Sequence, residues 1–169
     1  MARQTLPCLM MAGLLATVAA HAQKPSGKPK VTEVSTDHLK VRYENEVTAK
    51  PGGSVSLVLA IEPRRGMHVY APGAGDYQVI SLVIDEHSRV RPRPLTYPAS
   101  EIYLFRPLNE KIPVYQKPFT MTLDAIVQKA AEPLAVTGRL EYQACDDKVC
   151  FAPVSVPLSW TVSPDSSVK

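Results

Sequence analysis

The sequence predicts an all-β fold, because apolar residues recur at every second position, clusters of turn-formers separate those runs, and proline is abundant. From Val31 the period is two. Ser54 to Glu62 sets Val55, Leu57, Leu59 and Ile61 on one face, the pattern of a half-buried strand. Gln78 to Asp85 is more uniformly apolar, which predicts a central strand. Alternation returns at Phe119, Met121, Leu123, Ala125 and Val127, then at Leu140, Tyr142 and Ala144. Val154, Val156, Leu158, Trp160 and Val162 form the last apolar face. Residues 121–132 collect the alanine and glutamine of a helix, but strict alternation through Val127 predicts a strand ending in a turn. Pro51-Gly52-Gly53, Pro72-Gly73-Ala74-Gly75-Asp76 and Glu132-Pro133 are the punctuation. About seven to nine short strands with frequent turns predict an immunoglobulin-like antiparallel β-sandwich.

The amino terminus reads as an export signal. Arg3 supplies the positive charge, Leu9 to Ala20 the apolar run, and Ala20-His21-Ala22 the small-x-small cleavage pattern. Cleavage after Ala22 leaves 147 of the 169 residues, enough for one domain with a substantial core. Residues 23–30 (QKPSGKPK) are polar, basic and rich in breakers, so they are expected to form a flexible leader. The domain is expected over residues 31–164, with a short tail at 165–169, in a periplasmic protein. The formal net charge of +3 argues for neither nucleic acid nor a membrane surface as partner. Arg64-Arg65 and the alternating Arg89, Arg91 and Arg93 read as solvated strand edges.

The cysteine count is the sharpest bound on function. Of three cysteines, Cys8 lies in the signal, which leaves Cys145 and Cys150 as an even pair in an oxidising compartment. Strand-like segments flank the pair, placing it at a hairpin tip. Four intervening residues let the chain turn and bring the two sulfurs within bridging distance. Closing so short a loop stabilises a fold by only about 2 kcal/mol, against about 4–5 kcal/mol for a loop of a hundred residues. An exposed disulfide at a tip is instead well placed for attack by another protein's thiolate. Asp146 and Asp147 beside Cys145, offset only by Lys148, disfavour a second negative charge there. The partner is therefore expected to supply the activated thiolate. Tyr70 and Tyr77 could line the tip, although a tyrosine in a sandwich commonly serves as core or rim packing. His38 and His87 read as exposed strand or turn residues.

Tyr142-Gln143-Ala144-Cys145 followed by Cys150-Phe151-Ala152-Pro153 resembles the signature of the N-terminal periplasmic domain of the thiol:disulfide interchange protein DsbD. Gly66-Met67-His68-Val69-Tyr70-Ala71-Pro72, Tyr97-Pro98 and Ile112-Pro113-Val114-Tyr115 follow that family's order, and the similarity runs from about residue 35 to 163. It implies an immunoglobulin-like fold that relays electrons between periplasmic thiol proteins, as one component of a protein-disulfide reductase. Cys145 and Cys150 would be the redox pair. A mobile cap loop shields the cysteines in that family. By order along the chain it would fall at residues 100–109, with Tyr103, Leu104 and Phe105 as apolar cover. Family members often have one more residue between the cysteines. The chain also has neither the membrane electron conduit nor the thioredoxin-like domain of full-length DsbD, so a separate membrane donor is expected.

Expected partners are thioredoxin-fold periplasmic proteins, with the chain acting as a monomer. No cofactor is required, because the electrons travel on sulfur. Two other readings stay open: a non-enzymatic interaction module with a structural disulfide, and a soft-metal carrier using Met67 and His68. Neither a Cys-x-x-Cys nor a second histidine at ligand spacing supports the metal reading, and no metal site is assigned.

Overall fold

The computed structural model describes residues 30–50, 53–106, 109–128 and 132–164. Among them the chain is all β, without a helix, and forms an immunoglobulin-like sandwich with a smaller third sheet at one end. The expected signal, most of the leader and the tail lie outside the described residues.

The first sheet has five strands. Its centre is β4 (Ser54–Pro63), flanked by β2 (Leu39–Glu44) and β10 (Phe119–Val127). At its edges lie β1 (Val31–Ser35) and β7 (Val90–Pro92). The second sheet runs β3 (Glu46–Thr48), β13 (Val154–Ser163), β11 (Leu134–Tyr142), β6 (Ser81–Ile84). Every pair is antiparallel except β3 with β13. The period-two faces read from the sequence meet between these sheets. Val55, Leu57, Leu59, Ile61, Met121, Leu123 and Ala125 face Val136, Leu140, Val156, Leu158, Trp160 and Val162 across one continuous apolar core. The intervening residues point to solvent, as the pleat dictates.

Two expectations need correction. Gln78 to Asp85 is not a central strand: only Ser81–Ile84 pairs, with β11 alone, at the edge of the second sheet. Its apolar character comes from the sandwich seam, where Ile80 and Leu82 are buried. β6 can approach β11 closely because Gly138 lies between Val136 and Leu140, and a Cβ there would stand 2.5 Å from the Val83 carbonyl oxygen. The strand count is also higher than seven to nine. Thirteen strands are present among the described residues, several of them only two to four residues long.

The third sheet positions the site. It runs β12 (Ala144–Cys145), β5 (His68–Tyr70), β9 (Glu110–Tyr115), β8 (Glu101–Phe105). One of its faces continues the main core through Val69, Tyr115 and Ala144. The opposite face builds a second cluster from Tyr70, Ala74, Ile112, Val114 and Cys145. Adjacent residues therefore enter two different cores: Ala144 packs in the sandwich, and Cys145 turns the other way.

Candidate thiol–disulfide site

Cys145 and Cys150 form a disulfide, with Cα atoms 4.2 Å apart. The chain leaves the second sheet at Tyr142, pairs briefly with β5, turns, and re-enters at Val154, which faces Tyr142. The site is thus an excursion in the β11–β13 connection, in line with a tip between two strands. Asp146 N–H donates to the Val149 carbonyl (3.0 Å), and Phe151 N–H donates to the Ala144 carbonyl (2.9 Å). Gln143 ties the excursion down, donating from Nε2 to the Phe151 carbonyl (3.0 Å) while its Oε1 accepts from Gln78 N–H (3.3 Å).

The disulfide is not exposed as a unit. Cys145 is 1 % exposed, whereas Cys150 is an exposed residue. The asymmetry follows from placement: Cys145 is opposite His68 on β5 and packs into the second cluster, while Cys150 stands on the far limb of the turn.

Around Cys145 the second cluster is aromatic. His68, Tyr70 and Cys145 share one face of the sheet, His68 being the partner of Cys145 and Tyr70 two residues further along β5. The Tyr70 hydroxyl lies 2.8 Å from the Cys145 sulfur and 3.2 Å from that of Cys150. Tyr70 itself is 1 % exposed, and Tyr77 stacks on its ring at 4.3 Å. Burial pushes the Tyr70 hydroxyl up to about 12, with Tyr77, Glu110 and Tyr103 adding in the same direction. His68 is buried too, and burial holds its imidazole below the usual histidine value, opposed by the nearby Asp146 charge.

Tyr103 to Phe105 do not form a loop. They lie in β8, paired antiparallel with β9; residues 107 and 108, between the two strands, lie outside the described residues. By register Tyr103 lies on the same face of the third sheet as His68, and their ring centroids are 4.5 Å apart, so the Tyr103 ring reaches over the face that carries the disulfide. Tyr103 and Phe105 pack on the second cluster, while Leu104, between them, points outward and is 44 % exposed. The family resemblance grouped all three as cover; strand alternation divides them.

Asp146 and Asp147 sit in the turn as expected. The Asp146 Oδ1 accepts from the amides of Lys148 (2.7 Å) and Val149 (2.6 Å). Those two backbone hydrogen bonds, Val149's first, hold its carboxyl below the usual aspartate value. His38 is half-buried against Phe151, centroids 4.6 Å apart, rather than exposed; His87 stands beside a turn as expected and accepts from Arg89 N–H at Nδ1 (3.1 Å) in an exposed hydrogen bond, although the residue is itself partly buried. Tyr70 is the residue whose position matters more than its sequence context suggested. The sequence offered it as a residue that could line the tip, beside the commoner reading of core or rim packing.

A family model of the thiol:disulfide interchange protein DsbD, N-terminal, matches residues 35–157. The chain belongs to that family. Among solved structures, the N-terminal periplasmic domain of ScsB from Proteus mirabilis matches with a TM-score of 0.61 at 16% identity. That match covers 80% of this chain and 52% of the ScsB chain, so this DsbD N-terminal family member spans about half the length of the chain it matches. The reduced DsbD N-terminal domain of Neisseria meningitidis matches with a TM-score of 0.44 at 16% identity, covering 64% of this chain and 78% of that one. The complex between the DsbD N-terminal and PilB N-terminal domains from Neisseria meningitidis matches with a TM-score of 0.43 at 15% identity, covering 66% and 81%. No curated protein compared with the chain gives a significant match.

Proposed function

We propose that this chain is a periplasmic thiol–disulfide exchange domain that relays electrons between thiol proteins through the Cys145/Cys150 pair. The observation that carries this reading is the division of one short-loop disulfide between an exposed Cys150 and a buried Cys145. A partner thiolate attacks a sulfur it can reach in line with the S–S bond, so Cys150 is the attacked atom and Cys145 the leaving one. The S–S bond breaks, a mixed disulfide forms at Cys150, and the partner's second thiol then resolves it, leaving two cysteine thiols here.

Tyr103 and Phe105 act in this reading as the shield over Cys145, with Leu104 on the hairpin's outer face. Asp146 and Asp147 keep the reduced pair from becoming a reactive thiolate on its own. Thioredoxin-fold proteins are the partners, one of them fed by a separate membrane donor, and the chain works as a monomer after cleavage behind Ala22. N-terminal sequencing of the exported protein should then begin at Gln23.

Trapping in periplasm tests the exchange. Cys145→Ser leaves Cys150 free and should accumulate a mixed disulfide with a thioredoxin-fold protein, whereas Cys150→Ser should accumulate far less. Recovery of no such partner with either variant would leave the structural-staple reading in its place.

A further inference from the structure

We infer that the Tyr70 hydroxyl is a catalytic group of this exchange, donating a hydrogen bond to the Cys145 sulfur as the S–S bond breaks and holding the thiolate formed there. The inference rests on the exchange reading above and assigns a role within the same site.

The identity of the donor follows from the chemistry of the acceptor. A disulfide sulfur carries no hydrogen, so in the 2.8 Å and 3.2 Å contacts the Tyr70 O–H must donate. Other buried tyrosine hydroxyls of this fold point at ordinary acceptors: Tyr97 donates to the Ile80 carbonyl and Tyr115 to the Pro98 carbonyl, each at 2.9 Å. Among the described residues, Tyr70 finds only the two sulfurs. Sulfur in a disulfide is a weak acceptor, so the resting protein uses that hydroxyl poorly. A phenylalanine would fill the same space and keep the stack on Tyr77. The hydroxyl gains its value when the acceptor becomes charged.

Reduction supplies that charge. The partner thiolate forms a bond to Cys150 Sγ, and the electron pair of the breaking S–S bond passes to Cys145 Sγ. The partner's negative charge thereby moves to Cys145, with no proton required in the step. Cys145 is buried, so water cannot solvate the new thiolate well, and an unassisted anion there would be costly. The Tyr70 O–H already lies at hydrogen-bond distance and needs no reorganisation. Its proton stays on oxygen, because a hydroxyl near 12 is a far weaker acid than a thiol near 8.5. An interaction weak in the disulfide and strong in the thiolate lowers the barrier rather than stabilising the ground state. In the opposite direction the same hydrogen bond holds Cys145 Sγ as it attacks a mixed disulfide at Cys150.

The test compares the parent with Tyr70→Phe in the exported chain. Reduction of the disulfide by reduced thioredoxin should slow about 10- to 100-fold, the range expected for loss of a hydrogen bond to a charged group. Tyr97→Phe, which removes a carbonyl-bound hydroxyl, should keep the parent's rate. The second readout is the titration of Cys145 alone, followed by its ¹³Cβ chemical shift in a Cys150→Ser background. Tyr70→Phe should raise that thiol's pKa by about one unit or more. The titratable and charged groups of the elements packed about this site (His68 on β5, Asp146 and Lys148 in the turn, Tyr77 with Glu110, and Tyr103 on β8) are the same in both proteins, so the difference isolates the hydroxyl. A slower rate with an unchanged Cys145 titration would make Tyr70 a packing residue and overturn the inference, as would an unchanged rate. A parent disulfide that resists thioredoxin altogether would overturn the exchange reading itself.

Discussion

Reducing Cys145–Cys150 should weaken the fold by only about 2 kcal/mol. The half-cystines are five positions apart, and the loop-entropy relation for a ring of about six residues gives about 2 kcal/mol at room temperature. The main core is untouched by reduction, because it draws on the inner faces of the two large sheets and receives Ala144, not Cys145. At roughly 4 °C per kcal/mol for a domain of this size, the melting temperature should fall by roughly 8 °C. Urea titrations of the oxidised protein, of the protein in dithiothreitol and of the Cys145→Ser/Cys150→Ser double variant measure this directly. All three should unfold cooperatively with similar slopes, differing only in midpoint. A loss above about 4 kcal/mol, or disappearance of the β-sheet circular dichroism signal on reduction, would refute the reasoning. The disulfide would then be a staple on which the third sheet depends.

The β8–β9 pair makes a residue-specific prediction if it shields the disulfide as proposed. Phe105→Ala should speed reduction by glutathione with little change in melting temperature, whereas Leu104→Ala, on the outward face, should leave both unchanged. A large stability loss with an unaltered reduction rate would assign Phe105 to the core. Replacing Asp146 and Asp147 by Asn keeps an oxygen to accept the Lys148 and Val149 amides while removing both charges. Alkylation of the reduced pair by iodoacetamide near neutral pH should become faster, more so at low salt, and a pH profile identical to the parent's would exclude tuning by these carboxylates. His68 predicts an acid-side loss of stability. Its folded pKa is depressed by burial, so the unfolded chain takes up a proton first and stability declines as pH drops below about 6.5. Above that value the histidine contributes no slope. His68→Phe should flatten the melting-temperature profile between about pH 7.5 and 5, and an unchanged slope would locate the effect elsewhere.

Much of this molecule is legible in one dimension. Alternation at Val55–Ile61, Phe119–Val127 and Val154–Val162 is a property of the pleat, so the sequence alone determined which side chains face the core and that the fold is all β. Counting cysteines outside the expected export signal was enough to pair Cys145 with Cys150, because no other partner remains. Period two names a face but not a neighbour. It could not reveal that Ser81–Ile84 lies at a sheet edge, or that Ala144 and Cys145 enter different cores, because those facts depend on which strand lies alongside. Short strands such as His68–Tyr70 escape pattern reading for the same reason: three residues contain too little alternation, and their structure comes from being paired on both sides. Only the pairing of β5, β9 and β8 in one sheet brings the Tyr103 ring to His68, and only the pairing of β12 with β5 sets the Tyr70 hydroxyl against the sulfurs. The disulfide pair was determined by sequence, but its division into one reachable and one sheltered sulfur was decided by tertiary structure, because burial depends on what the rest of the chain lays on top.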